Sequence, residues 1–303
     1  MRAIVITGHG DASVLASVDL PLPTLQPGEV LVRIRAAAVN PADVKWRAGM
    51  FASFAPVSFP HMLGYDIAGE VIEGQSEEQG FAPGARVFGM LDPFRKGGYA
   101  EYAAIPADHL SLIPHGLDYP TAAALPTAGL TGLQLVQALA IEPGQCVLLT
   151  GALGSVGRFA LHALKAGHAR VFAAVRASHR DQALHLGAEE ALALGGEDWS
   201  GPAFDHVIDT VGGAAVARLC RHVRPGGRIL TAAATPIPAE DLSTVPEFFS
   251  VRPDGGQCAR LAAIVEAGEV AVPIAHRLPL SEAARAHHLV ERGGLGGKVV
   301  LIP

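Results

Sequence analysis

Cys146-Val-Leu-Leu-Thr-Gly151-Ala-Leu-Gly154-Ser-Val-Gly157 decides the fold. A short apolar run enters three glycines spaced G-x-x-G-x-x-G, and the stretch to Ala166 that follows reads as helix. Strand, glycine turn and helix in that order open a βαβ unit. Gly151 suits the tight turn. Gly154 and Ser155 let backbone approach a pyrophosphate, whose charge meets the amides at the helix N-terminus. Gly157 lets the helix pack close to the sheet. The spacing differs from the usual G-x-G-x-x-G, and a structural turn without a ligand is the alternative. The strand before the loop and the helix after it favour dinucleotide binding.

Outward from this loop the texture stays α/β. Strands are expected at Arg170–Val175, His206–Thr210, Gly227–Ala232 and Phe248–Val251. Helices between them are expected at His179–His185, Ala214–His222 and Gly255–Ala267. Such alternation predicts a parallel sheet, here of six strands. Tyr119–Ala140 is Ala- and Leu-rich and predicts a helix interrupted near Pro126. The first hundred residues differ. Ala3–Thr7, Val30–Ala38, Ala68–Glu73 and Arg86–Met90 are short apolar or alternating runs separated by Gly/Pro turns, which predicts irregular antiparallel β-structure. After residue 268 an extended Ala275–Leu280, a helical Ser281–Glu291 and an apolar Lys298–Ile302 return to that texture. The expected layout is an α/β domain, residues 112–268, inserted into a β domain built from residues 1–111 and 269–303.

Composition agrees with two cored domains. The 303 residues are 50 % hydrophobic and 17 % charged, so the chain is not a disordered one. Only 6 % are aromatic, so Ala, Val, Leu and Ile must build the cores. A net charge of −6 argues against a nucleic-acid binder. Cys146, Cys220 and Cys258 are far apart and make no disulfide framework, so a reducing compartment is expected. The N-terminus runs into a strand pattern without a signal peptide, and no apolar run is long enough to span a membrane. Cytoplasmic placement is the expectation.

The second strand of the α/β domain indicates which dinucleotide. An NAD site usually carries Asp or Glu about 20 residues past the loop. Here Phe172-Ala-Ala-Val-Arg176-Ala-Ser178-His179-Arg180 has no carboxylate. Arginine pairs with a phosphate in forked geometry, whereas at a helix start it opposes the dipole. Arg176, Ser178 and Arg180 therefore point to the 2′-phosphate of NADPH.

Further motifs appear in a fixed order. They are Ala38-Val-Asn40-Pro41-Ala-Asp43, Leu63-Gly64-Tyr65-Asp66-Ile-Ala-Gly69, Gly84-Ala-Arg86-Val87-Phe-Gly89, Gly98-Tyr99-Ala100-Glu101-Tyr102, Ala124-Leu-Pro126-Thr-Ala-Gly129-Leu-Thr131, the glycine loop, Leu186-Gly187-Ala188 and Gly297-Lys298-Val-Val-Leu301. Over essentially its whole length the chain resembles the zinc-independent, quinone-oxidoreductase-like branch of the medium-chain dehydrogenase/reductase superfamily. The resemblance implies an α/β fold: a Rossmann-type, doubly wound parallel sheet plus a GroES-like, mainly antiparallel β domain formed by both chain ends. It also implies a homodimer.

The resemblance further implies that no metal is held. The zinc-dependent relatives place Cys where Asn40 stands, His-Glu where Tyr65-Asp66 stand, and a third ligand near Thr127. None of the three cysteines falls there, and the 13 histidines show no ligand spacing. Without zinc, a quinone or activated C=C is the less demanding acceptor, because its electrons spread onto a conjugated oxygen. Hydrogen-bond donors at that oxygen then suffice.

The catalytic candidates are Asn40, Tyr65 and Thr131, the last aligned with a threonine that faces the nicotinamide in relatives. Asn40 also reads as a turn residue starting a helix, with Asp43 in its first turn. Asp66 reads as a partner for an arginine, and Lys45 as a donor or an exposed lysine. Phe51, Phe54 and Phe59 are consistent with an apolar mouth or with core packing. The cofactor candidates are Thr127, Gly151, Ala152, Leu153, Gly154, Ser155, Val156, Gly157, Arg176, Ser178, Arg180, Val211, Ala232, Ala233, Phe249, Val251 and Lys298. Asp205 reads as a turn and Asp209 as a strand end, about 13 Å apart by strand rise and too far for paired acid–base work. The expected activity is NADPH-dependent, zinc-independent reduction of a small-molecule quinone or α,β-unsaturated carbonyl. A zinc-free alcohol dehydrogenase and a non-catalytic NADPH sensor are the competing readings.

Overall fold

The computed structural model describes residues 1–53, 55–74, 80–92, 94–95, 97–196 and 198–303. Phe54 lies outside them. In chain order the strands are β1 (Arg2–Ile6), β2 (Leu15–Asp19), β3 (Glu29–Val39), β4 (His61–Met62), β5 (Asp66–Gly74), β6 (Arg86–Met90), β7 (Tyr102–Pro106), β8 (Leu110–Leu112), β9 (Cys146–Thr150), β10 (Arg170–Val175), β11 (Glu190–Ala193), β12 (Phe204–Asp209), β13 (Val223–Thr231), β14 (Glu247–Phe248), β15 (Ile274–Pro279) and β16 (Lys298–Ile302). The helices are α1 (Pro41–Arg47), α2 (Tyr119–Ala123), α3 (Pro126–Leu139), α4 (Ser155–Ala166), α5 (Arg180–His185), α6 (Ala214–Cys220), α7 (Gly255–Glu266) and α8 (Ala283–Arg292).

The chain divides into two compact units, Met1–Leu130 with Arg252–Pro303, and Thr131–Val251. In the first unit β2-β1-β4 form a three-stranded antiparallel sheet. A seven-stranded sheet runs β15-β16-β3-β5-β6-β8, with β7 also on β3. It is antiparallel except for β15 and β16. The last strand therefore lies inside the sheet, against β3 from the start of the chain. The divisions fall later than the change in sequence texture at residue 112, and earlier than the one at 268. The reason is packing: α2 lies on β3 and β5, and α7 lies on β8.

The second unit holds six parallel strands in the order β11-β10-β9-β12-β13-β14. This is the doubly wound order, with β9 at the switch point. Both faces are apolar, as helices on both sides demand. Val147, Leu149, Val171, Ala173 and Val175 pack on one side with Ala160, Leu161 and Leu164 of α4. The alternate residues Cys146, Leu148, Phe172 and Ala174 pack on the other with Val216 and Leu219 of α6. The strand period of two separates the sets. Asp205 is a correction: it is the second residue of β12, where its carboxylate accepts from the Cys146 N–H at 2.6 Å and pairs with Arg224.

Candidate active site

The glycine loop is built by close packing. Gly151 has φ +66°, a left-handed value that favours glycine, and its N–H donates to Ala174 O at 2.9 Å. A Cβ on Gly157 would lie 2.2 Å from Gly151 O, so only glycine lets α4 start this near the turn. Ala152 is buried beneath the loop, and Leu153 O accepts from Arg158 Nε at 2.9 Å. Gly154 caps α4, whose first-turn amides, including those of Ser155, Val156 and Gly157, have no partner within the helix. This cradle fits a pyrophosphate.

Asp209 organises the same sheet edge. Its fully buried carboxylate accepts from Thr150 Oγ1 at 2.5 Å and from the Val211 and Gly212 N–H groups at 3.0 Å each. Its other oxygen accepts from Thr231 Oγ1 at 2.6 Å. The Ala233 N–H donates to that same Thr231 hydroxyl, and the Ala232 N–H to Asp209 O. The Phe249 N–H donates to Thr231 O. Of the expected cofactor positions, Val211 is held by this carboxylate directly and Ala233 through the Thr231 hydroxyl, a role the sequence reading of Asp209 missed. Val251 ends the unit, half-buried, and Thr131 begins it, buried on α3. At the end of β10, Arg176, Ser178 and Arg180 are exposed, Ser178 in a short helical turn. Arg180 Nε donates to Ala191 O at 2.7 Å, which anchors that side chain to β11.

In the first unit, sheet register gathers a second cluster. Val39 lies opposite Val299 and Ala38 opposite Asp66, so the next positions bring Asn40, Asp66 and Lys298 together. Lys298 Nζ donates to Asn40 Oδ1 at 2.5 Å and lies 3.9 Å from Asp66 Oδ2. Asn40 Nδ2 donates to the same Asp66 oxygen at 2.9 Å. Asp66 Oδ1 accepts from the Thr127 N–H at 2.8 Å and the Thr127 hydroxyl at 2.6 Å. These contacts correct one expectation: Asp66 pairs with a lysine, an amide and a threonine, not an arginine. Thr127 and Lys298, expected at the cofactor, both place polar groups in this network. Asn40 works inside it as a link, with both ends of its carboxamide engaged.

Asn40 also starts α1, where Pro41 takes the first helical position. Asp43 reaches back to accept the Asn40 N–H at 2.7 Å, and its other oxygen accepts the Gly64 N–H at 3.1 Å. Burial pushes the Asp43 carboxyl up to about 7, against those hydrogen bonds and the Lys298 charge. Burial raises Asp66 too, opposed by Lys298 and Thr127, and lowers Lys298, opposed by Asp66 and Asp43. Lys45, half-buried, is also lowered by burial.

Tyr65 is the exception in a saturated network. It is 4 % exposed, and its hydroxyl has no hydrogen-bond partner among the described residues. Burial, then the charges of Asp43 and Asp66, hold this phenol well above its usual pKa, so it stays protonated. A buried donor without an acceptor is costly to keep. Behind it runs a chain the sequence reading missed. Tyr99 Oη lies 3.2 Å from His287 Nε2, and Arg47 lies 3.4 Å from His287 Nδ1 and pairs with Glu291. An arginine only donates, so Nδ1 is the acceptor and Nε2 carries the proton. Burial and Arg47 push His287 down to about 3. Near the chain surface, Trp46 meets Phe51 edge-on at 5.5 Å, and Phe59 meets His9 at 4.9 Å.

Zinc does not fit these residues. A zinc site needs three or four converging Cys, His or carboxylate ligands. Asp66 and Asp43 are the carboxylates here, the oxygens of both are engaged, and the Lys298 ammonium stands beside Asp66. Among the described residues no group of three such side chains could hold a metal.

A parallel sheet with a glycine cradle at its switch point in one unit, and a buried polar cluster in the other, are the features of a nicotinamide-dependent oxidoreductase. Residues 26–115 match the alcohol dehydrogenase GroES-like domain family and residues 186–301 the family described as zinc-binding dehydrogenase. The 2-methylene-furan-3-one reductase of Solanum lycopersicum is 32 % identical over 320 residues, covering 100 % of this chain and 79 % of that one. The chloroplastic NADPH-dependent alkenal/one oxidoreductase of Arabidopsis thaliana is 29 % identical, covering 100 % and 80 %. The quinone oxidoreductase structure from Coxiella burnetii superimposes with a TM-score of 0.87 at 29 % identity, covering 100 % and 99 %. The chain belongs to the medium-chain dehydrogenase/reductase superfamily, in its quinone-oxidoreductase branch.

Proposed function

We propose that the protein is an NADPH-dependent reductase of a quinone or an α,β-unsaturated carbonyl that works without zinc. The observation that carries this reading is the Tyr65 hydroxyl, buried, protonated and without an acceptor among the described residues. It is a donor suited to an oxygen on which negative charge gathers during reduction. A conjugated oxygen needs no more than such donors, and among the described residues no group of three His, Cys or carboxylate side chains could hold a metal. When bound, the nicotinamide supplies the hydride. The α4 amides and Gly151–Gly157 hold its pyrophosphate, and Asp209 fixes the backbone at Val211, Ala232 and Ala233. Arg176, Ser178 and the free end of Arg180 take the 2′-phosphate, supported by the absence of a carboxylate at the end of β10. The names of the alkenal/one and furanone reductases support an enone acceptor, and the Coxiella neighbour a quinone. Homodimer formation through the edge strand β14 and a cytoplasmic setting belong to the same proposal.

The test follows NADPH oxidation with 1,4-benzoquinone and with a short enone, with and without chelator. Turnover that ignores chelator is expected; chelator inhibition, or turnover only with a saturated aldehyde or ketone, would overturn the reading. Tyr65→Phe should lower kcat about 100-fold with NADPH affinity unchanged, on the scale of removing one oxyanion donor. An unchanged kcat would remove Tyr65 from the mechanism. Arg176→Ala with Arg180→Ala should weaken NADPH by at least about tenfold and leave NADH nearly unaffected, since only the former offers a phosphate to the pair. Equal losses for both would sink the 2′-phosphate assignment.

A further inference from the structure

We infer that Lys298 is the resident cation of the first unit's polar cluster, a positioning residue that holds Asn40 and Asp66 in one arrangement. Three backbone segments far apart in sequence converge here: β16 brings Lys298, the β3–α1 junction brings Asn40, and β5 brings Asp66. The Nζ to Oδ1 contact at 2.5 Å allows one orientation of the Asn40 carboxamide. Its oxygen faces the ammonium, so its nitrogen must face Asp66, as found at 2.9 Å. Thr127 then fixes the other Asp66 oxygen. Asp66 directly follows Tyr65 in the chain, so what fixes one carboxylate also fixes the backbone that carries the orphan hydroxyl.

The charges require such a cation. Asp43 and Asp66 are both fully buried, and the charge of Lys298 lowers both. Among the described residues the other titratable groups facing them are neutral: Tyr65, Tyr99 and Cys258, the last on α7 and held well up by burial and then by Asp66, with His287 behind Tyr99. Remove the ammonium and Asp66 is left as an uncompensated buried charge, which takes a proton instead.

This gives a signature that packing alone would not. A buried carboxylate whose folded pKa is raised stabilises the fold at low pH and loses that contribution as pH rises. Without Lys298 the Asp66 pKa rises further, so the loss is steeper. The gap in unfolding midpoint between the wild type and Lys298→Met should therefore widen from pH 4.5 to pH 8. Lys298→Arg, which keeps the charge, should narrow it again. NADPH affinity of Lys298→Met should stay within about threefold, while kcat falls about 10- to 100-fold, the range expected for a misplaced site group.

The kinetic arm rests on the reductase reading; the unfolding and binding arms do not. If the wild type turns over no acceptor, that reading fails, and the pH dependence still decides the role of Lys298. Parallel pH curves for wild type and Lys298→Met would overturn the inference. So would weakened NADPH binding with intact kcat, which would make Lys298 a cofactor contact. If Lys298→Met does not fold, the double variant with Asp66→Asn removes the stranded charge. Recovery of folding in the double supports the inference, and its failure assigns Lys298 to packing.

Discussion

His287 shows how a single residue can carry a pH dependence. It is fully buried on α8 between the Tyr99 hydroxyl and the Arg47 guanidinium. Its pKa is pushed down to about 3 by burial and by Arg47. The unfolded chain takes up a proton near 6.5, while the folded chain refuses it until about 3. The folded state therefore binds fewer protons across that window, and stability falls as pH drops below 6.5. At one pKa unit per about 1.4 kcal/mol, pH 5 already costs about 2 kcal/mol from this residue. Asp43 runs the other way, losing stability as pH rises from 3.8 to about 7, so the two must be separated by substitution. His287→Gln keeps a donor toward Tyr99 and cannot titrate. Its urea-unfolding free energy, taken relative to the wild type, should therefore rise by about 2 kcal/mol between pH 6.5 and 5. A difference between the two proteins that does not change with pH would refute this assignment.

At the scale of elements, three strand ends depend on Asp209. β9, β12 and β13 end beside its carboxylate, which accepts two hydroxyl and two amide donors. Asn in its place has one acceptor oxygen, and its NH2 group faces donors. At least one buried donor then loses its partner, and the charge that strengthened the rest is gone. Asp209→Asn should cost about 1–3 kcal/mol, the range for leaving a buried donor without its partner. It should also weaken NADPH binding, since Val211 and, through the Thr231 hydroxyl, Ala233 are tied to the same carboxylate. A loss below about 1 kcal/mol in urea unfolding would show that the strand ends hold without it. This is also where sequence legibility stops. β9, β10, β6 and β16 match their expected bounds, because apolar runs between glycines announce strands. The loop's glycines are legible because each meets a local steric demand. β2, β7 and β11 escape, being short and partly polar. Asp205 misleads because a buried aspartate at a strand start looks like a turn until its partners, Cys146 and Arg224, are seen. Lys298 and Asn40 are 258 positions apart, and only the register of β16 on β3 joins them.

At the scale of the whole molecule, the open edge of the parallel sheet bears on assembly. β14 pairs with β13 on one side. Phe248 within it is 58 % exposed, and Val245 just before it is 73 % exposed. Soluble proteins usually blunt such edges with charge or cover them. Glu247 does not blunt this one, because Arg228 engages it at 2.9 Å. An unblunted edge with two large apolar side chains suits pairing with the same edge of a second copy, and a two-fold axis makes such a contact self-complementary. If β14 is the contact, Val245→Asp with Phe248→Asp should place four like charges at the joint and convert a dimer to a monomer. Both side chains are exposed in the isolated chain, so the unfolding midpoint at low protein concentration should barely move. Sedimentation of wild type and variant across a concentration series checks this. A wild type that sediments as a monomer, or a variant that stays dimeric, would assign the edge no part in assembly.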